Sequence, residues 1–81
     1  MTFSAAKSGS RVYWRAKDTE SACCRVQLAL ERSGEHRYVR LSGPRGSARV
    51  PQGYWSVTVV ARDAAGNSAE QALGLVIGKG G

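Results

Sequence analysis

The sequence predicts an all-β domain, an antiparallel β-sandwich of about seven short strands, on three observations. Apolar and polar residues alternate with a period of two in several short segments. Turn-forming residues separate these segments at intervals of about eight to twelve residues. The chain has 81 residues and 42% hydrophobic residues. This length and composition are enough for one small domain with a thin core.

The most regular segment is residues 53–67, which reads as one strand followed by a turn. Its predicted inward positions are Trp55, Val57, Val59 and Ala61. Polar residues and one valine alternate with them, which is typical of a half-buried antiparallel strand. The strand should end at residues 63–67, because Asp63 can accept backbone N–H groups and Gly66 and Asn67 tolerate positive φ.

Two strands are expected before residue 33, at residues 11–16 and 24–32, and a third is left open at the start of the chain. Residues 1–9 are small and polar, and they form either a short edge strand or a loose segment. Residues 11–16 read as a strand with Trp14 facing the core. Residues 24–32 alternate strictly, which favours a strand over the helix that their Gln, Leu, Ala and Glu content also allows.

The remaining segments complete the set of strands. Residues 35–42 should form a hairpin with residues 24–32 across Ser33 and Gly34. Turns are expected at residues 43–46 and 51–53, with a short strand at 47–50 between them. Residues 69–77 are apolar enough for a buried last strand. The predicted core is Trp14, Cys24, Val26, Leu28, Leu30, Val39, Leu41, Trp55, Val57, Val59, Leu75 and Ile77.

The two cysteines, Cys23 and Cys24, are adjacent in the chain. On a strand their side chains point to opposite faces, so Cys24 should be buried as a small hydrophobic residue and Cys23 exposed. Adjacent cysteines cannot form a bridge between two sheets, and a structural zinc site needs four ligands at other spacings.

Residues 53–67 also carry a resemblance. Their Gly, inward aromatic, alternating valines and final Asp-Ala-Ala-Gly-Asn resemble the penultimate strand and last turn of bacterial immunoglobulin-like and fibronectin type III-like modules. The strand ending at Ala16, the hairpin across Ser33 and Gly34, and residues 73–77 extend the resemblance over most of the chain. One departure is that Trp55 stands where the family line has an inward Tyr, with Tyr54 beside it.

The resemblance implies a single immunoglobulin-like domain over residues 1–81, with 78–81 as a flexible tail. Such modules commonly stand in series in exported or surface proteins, as spacers, adhesive units or accessories to hydrolases. The implied function is therefore a non-catalytic structural or interaction module of a larger exported bacterial protein. Its implied location is extracellular or at the cell surface, and its implied partners are neighbouring domains, a protein or an anionic glycan.

Charge supplies the alternative function. The chain has twelve Lys plus Arg against six Asp plus Glu, a net charge of +6. Such a chain attracts anionic glycans or nucleic acid. The opposing interpretation is that the basic residues provide solubility. No RNA-binding or helix-turn-helix signature appears, which makes nucleic acid the less expected partner. The candidate ligand face is Arg11, Tyr13, Arg15, Arg25, Arg37, Arg40, Tyr54 and Arg62.

Catalytic, metal and cofactor sites are not expected. His36 is the single histidine, and no nucleophile stands in a motif such as G-x-S-x-G. Asp18, Asp63 and Asn67 suggest calcium only weakly, because calcium takes six to eight oxygen ligands and an Asx turn explains Asp63 better. No apolar run approaches the ~20 residues of a membrane span, and the first residues lack a signal-peptide core.

Overall fold

A computed structural model describes residues 2–17, 25–42, 45–63 and 65–79 of the chain. In these residues it shows seven strands and no helix, which confirms the predicted all-β class. The strands are β1 Thr2–Ser8, β2 Arg11–Lys17, β3 Arg25–Arg32, β4 Glu35–Ser42, β5 Arg45–Arg49, β6 Gly53–Arg62 and β7 Ser68–Gly78.

The strands form two antiparallel sheets. Sheet A has three strands in the order β1-β2-β5, and sheet B has four strands in the order β4-β3-β6-β7. Buried side chains from both sheets form one cluster, so the inner faces share a single core. The predicted antiparallel β-sandwich is therefore confirmed.

The core follows the predicted alternation on most strands. The predicted core residues that are buried are Trp14, Val26, Leu28, Leu30, Trp55, Val57 and Val59. Val39 and Leu41 are partly buried and pack against this cluster. The other buried members of the cluster are Ala5, Val12 and Ala16 of sheet A, Val50 after β5, and Ala61 and Val76 of sheet B. Cys23, Cys24 and Asp18 lie outside the described residues.

The prediction for the last strand is wrong at two positions. Leu75 and Ile77 are 55% and 46% exposed, whereas Val76 between them is 1% exposed. The physical reason is a β-bulge. Val57 pairs with Gly74 and Thr58 pairs with Ala72, so the intervening residue of β7 has no partner on β6. Because β7 has one extra residue here, its side chains after the bulge point to the opposite face from the one that a regular strand would give. Gly74, at the bulge, has a φ of +74°, which glycine adopts readily.

The first strand is complete, which decides the alternative that the sequence left open. β1 pairs with β2 along its whole length, from Thr2 opposite Lys17 to Ser8 opposite Arg11. Its other edge is tied to β7: the Gln71 side-chain oxygen accepts a hydrogen bond from the Ala5 N–H at 3.1 Å, and Lys7 Nζ donates to the Leu75 carbonyl at 2.7 Å. These contacts each satisfy one backbone group on the facing edges of β1 and β7.

Two predicted boundaries also change. Residues 45 and 46, predicted to belong to a turn, begin β5 instead. Gly46 lies opposite Trp14, and a Cβ at Gly46 would stand 2.6 Å from Cζ2 of the indole. Gly46 is therefore explained by the space that the Trp14 ring needs, and not by a turn of the chain. Gly78, predicted to start the tail, is the buried last residue of β7 and pairs with Gly53.

Candidate functional site

The outer face of sheet A collects basic residues from two strands. Arg11, Tyr13 and Arg15 occupy the exposed positions of β2, because Val12 and Trp14 between them turn inward. Their partners across the ladder on β5 are Arg49, Ser47 and Arg45, in that order. We call the surface formed by Arg11, Tyr13, Arg15, Arg45 and Arg49 the Arg–Tyr face.

Small side chains surround the tyrosine of this face. Tyr13 is 45% exposed and has Ser47 of β5 on one side and Ala6 of β1 on the other. Together with Ser4, Arg15 and Arg45 these residues line a shallow depression. Because the residues paired directly with it on both neighbouring strands are short, the Tyr13 ring is accessible from above the sheet.

Sheet A is cationic throughout its described strands. Besides the four arginines, β1 contributes Lys7 and β2 contributes Lys17, and no Asp or Glu occurs in β1, β2 or β5. The carboxylates of the described residues all belong to sheet B or to the turn after β6: Glu31, Glu35, Asp63 and Glu70. The positive charge of sheet A is therefore not compensated by its own strands.

Three other predicted site residues meet on sheet B. Arg25 of β3 lies directly opposite Arg62 of β6, and Arg40 of β4 lies opposite the adjacent Gln27. These residues line a second depression at one end of the sheet. This basic group faces away from the Arg–Tyr face, because the two sheets pack through their inner sides.

Tyr54 lies at the opposite end of the same sheet. It is 65% exposed and pairs with Ile77 of β7, whose side chain is also exposed. Tyr38 and Leu75 are the other large exposed apolar residues on the outward positions of sheet B. We call Tyr54, Leu75 and Ile77 the apolar patch, because Tyr38 lies on β4 at the other edge of the sheet. The structure therefore separates Tyr54 from the arginines with which the sequence analysis grouped it.

Arg37 belongs to neither group, because it lies opposite the buried Leu30 and therefore occupies an inward position of β4. Its guanidinium lies 5.5 Å from the centre of the Trp55 ring, and that of Arg32 lies 4.1 Å from it. Glu35 bridges both arginines, at 3.0 Å to Arg32 and 2.6 Å to Arg37. The hydrogen bond from Arg32 is the main cause that holds the pKa of Glu35 below its usual value, with a smaller contribution from Arg37.

The indole of Trp55 is also fixed by hydrogen bonds. Its Nε1–H donates to the carbonyl of Pro51 at 3.1 Å and lies 3.4 Å from that of Gln52. Both carbonyls lie just before β6, so the indole ties the start of this strand to the preceding turn.

Asp63 acts as the sequence predicts. Its Oδ1 accepts hydrogen bonds from the backbone N–H groups of Ala65 at 3.0 Å and Asn67 at 2.8 Å, and Oδ2 accepts one from the Asn67 side chain at 3.1 Å. The carboxylate is therefore engaged in closing the turn after β6.

In the described part of the chain, no three His, Cys, Asp or Glu side chains come together in a group that could hold a metal ion. His36 is exposed on β4 and lies opposite Glu31. The described residues contain no helix that is long and apolar enough to cross a membrane.

Two basic residues of the Arg–Tyr face were not singled out from the sequence, namely Arg45 and Arg49. The sequence places Arg45 in a turn, and the pairing of β2 with β5 joins residues thirty or more positions apart. The sequence does contain one local signal. Each of the two strands carries a pair of Arg residues four positions apart, and these alternate with the inward residues Val12 and Ala48, so they should face outward.

Comparison of this chain with protein-family models, with curated proteins and with solved structures finds no match.

Proposed function

We propose that this chain is a non-catalytic immunoglobulin-like module that serves a larger exported bacterial protein as a structural or interaction unit, outside the cell or at its surface. The observation that carries the proposal is the strand order. In immunoglobulin domains the third, sixth and seventh strands of the simple seven-strand form share one sheet, and the first, second and fifth share the other. Sheet B contains β3, β6 and β7, and sheet A contains β1, β2 and β5.

The fourth strand distinguishes the variants of this architecture. In constant-type immunoglobulin domains it pairs within the first sheet, whereas here β4 pairs with β3 in the second. Variable-type domains also extend that sheet beyond the third strand, with their C′ strand.

The interaction role is supported by the apolar patch on sheet B. Tyr54 is 65% exposed, and Leu75 and Ile77 on the neighbouring edge strand β7 are 55% and 46% exposed. Exposed apolar side chains that gather on one face are typical of surfaces that meet another protein or a neighbouring domain. Tyrosine suits such contacts, since its ring is apolar and its hydroxyl can hydrogen-bond.

The first experiment asks whether the chain folds as an independent unit. Urea unfolding of the 81-residue chain should be cooperative, with coincident transitions in tryptophan fluorescence and far-ultraviolet circular dichroism. A gradual loss of signal without a transition would contradict a self-contained module.

A second experiment addresses the exported setting. The chain should accumulate as a protease-resistant domain when a secretion signal directs it to the bacterial periplasm. The same chain made without the signal, in the cytoplasm, is the matched control. A domain that is intact in the cytoplasm but degraded after export would contradict the extracellular assignment.

A further inference from the structure

We propose that the Arg–Tyr face binds an anionic glycan, a polysaccharide that carries sulfate or carboxylate groups. The proposal rests on the interaction role proposed above and adds to it the surface and the chemical class of the partner. Its basis is the arrangement of four guanidinium groups around one accessible tyrosine ring on a sheet whose described strands contain no carboxylate.

The arginines stand in two cross-strand pairs. Arg11 is directly opposite Arg49, and Arg15 is directly opposite Arg45. Like charges at directly opposed positions, whose Cβ atoms are ~4.5–5.5 Å apart, destabilise a sheet. A bound anion between the members of each pair would remove this repulsion. Arg25 opposite Arg62 on sheet B has the same geometry, so what distinguishes the Arg–Tyr face is that it has two such pairs on strands that carry no carboxylate.

The two pairs have a defined spacing along the sheet. Arg11 and Arg15 are four positions apart, as are Arg45 and Arg49, which corresponds to ~13 Å at ~3.3 Å per residue. Tyr13 lies midway between the pairs. A linear polymer that runs along β2 would thus meet a cationic pair, an aromatic ring and a second cationic pair in succession.

The side-chain chemistry fits sulfated or carboxylated sugars. Each guanidinium presents a planar fork of N–H donors that matches two oxygens of a carboxylate or sulfate. The Tyr13 ring can pack against the C–H face of a sugar ring, and the small Ser47 and Ala6 beside it leave room for that ring. Both components of an anionic glycan, charge and sugar face, therefore have a partner on this surface.

The same face is less suited to nucleic acid. Proteins that bind single strands stack successive bases on several aromatic side chains along a basic groove. The Arg–Tyr face has one aromatic residue, and the exposed Tyr38 and Tyr54 lie on the other sheet. One ring between widely spaced charges favours a sugar polymer over a stacked run of bases.

The sheet B arginines provide a matched control. Arg25 and Arg62 are also directly opposite each other on an outer face. The double variant Arg15→Gln with Arg45→Gln and the double variant Arg25→Gln with Arg62→Gln remove the same charge from the same kind of cross-strand pair. Only the first pair belongs to the Arg–Tyr face.

The experiment measures the affinity of the full chain for heparin, used as the sulfated polysaccharide probe, across a series of salt concentrations. The sheet A double variant should bind about tenfold more weakly or worse at about 0.15 M salt, with a salt dependence reduced by about two released counterions. The sheet B double variant should stay within about twofold of the wild type. Tyr13→Ser should weaken binding without changing the salt dependence.

Three outcomes would overturn the proposal. Equal loss in both double variants would mean that heparin responds to total charge rather than to this face. Tighter binding of a single-stranded DNA, dependent on the same arginines, would make nucleic acid the partner. No heparin binding by the wild type at about 0.15 M salt would remove the glycan altogether. Cooperative unfolding of the same samples separates these results from failure of the proposed module, which would then stand with a different partner.

Discussion

Replacing Trp55 by alanine is expected to reduce the free energy of unfolding by about 3–5 kcal/mol. The side chain is 0% exposed and is the first of the buried inward residues of β6. Its N–H donates to the Pro51 carbonyl, and the Arg32 guanidinium lies 4.1 Å from the centre of its ring. Alanine removes the apolar volume, the hydrogen bond and the cation–π contact together.

The magnitude can be divided among these interactions. A buried aromatic ring removes ~150–250 Å² from water, which corresponds to ~4–6 kcal/mol as an upper estimate at ~25 cal/mol per Å². The hydrogen bond adds ~1 kcal/mol. Collapse of the surrounding core returns part of this loss, which leaves the expected range. Since small domains have total stabilities from ~5 kcal/mol upward, Trp55→Phe is a needed second variant, with an expected loss of ~1–3 kcal/mol.

The assay is equilibrium unfolding in urea, with the midpoint and the slope fitted separately. Tyr54→Ala is the matched control, because Tyr54 is the adjacent residue on the same strand and is 65% exposed. Its change should stay within ~0.5 kcal/mol. If Tyr54→Ala destabilised the domain more than Trp55→Phe, the strand would face the other way, and every inward residue of β6 would be misassigned.

Three further predictions follow from local contacts. The hydrogen bond from Arg32 lowers the folded-state pKa of Glu35, so the stability that it gives is complete above the unfolded-state pKa and is lost as the pH falls through the folded-state pKa. Glu35→Gln should therefore flatten the fall of the urea midpoint between about pH 5 and pH 3, and an unchanged slope would contradict this ion pair. Gly74→Ala should cost ~1–2 kcal/mol in urea unfolding, because its φ is +74°; a neutral effect would place the bulge elsewhere. Gly46→Ala should cost ~1–3 kcal/mol and shift the tryptophan emission, because its methyl group would meet the Trp14 ring; unchanged emission and stability would show that the ring is not held there.

The strands were predictable wherever one face is buried and the other is exposed to solvent. The alternation of Trp55, Val57 and Val59 with polar residues gives both the extent and the facing of β6, and the structure confirms both. The hairpin of β3 and β4 was equally clear, because the Ser33-Gly34 turn fixes its register. In these segments, local pattern and tertiary burial require the same conformation.

The last strand shows where such reasoning stops. Leu75 and Ile77 continue a period-two pattern, which predicts that both face the core. A glycine inside a strand signals a possible bulge, but the sequence does not say how the partner strand is registered. The pairing of Gly74 with Val57 reverses the faces after this point, so Val76 is buried and Leu75 is exposed.

The candidate site depended on pairing that the sequence does not reveal. Outward arginines were recognisable on β2 from the inward Trp14 alone. Their grouping with Arg45 and Arg49 required the contact of β2 with β5, which spans a long stretch of chain. Arg37 was grouped with outward residues, but the structure places it over the Trp55 ring.

An even distribution of charge along the chain does not produce an even distribution in space. The strands of sheet B carry five arginines and three glutamates, whereas those of sheet A carry six cations and no carboxylate. Sheet topology thus gathers uncompensated charge on one side of a chain whose sequence intersperses it. If the basic residues provided solubility alone, the two matched arginine pairs would be interchangeable. Polyanion affinity that depends on one pair and not on the other therefore measures recognition, separately from net charge.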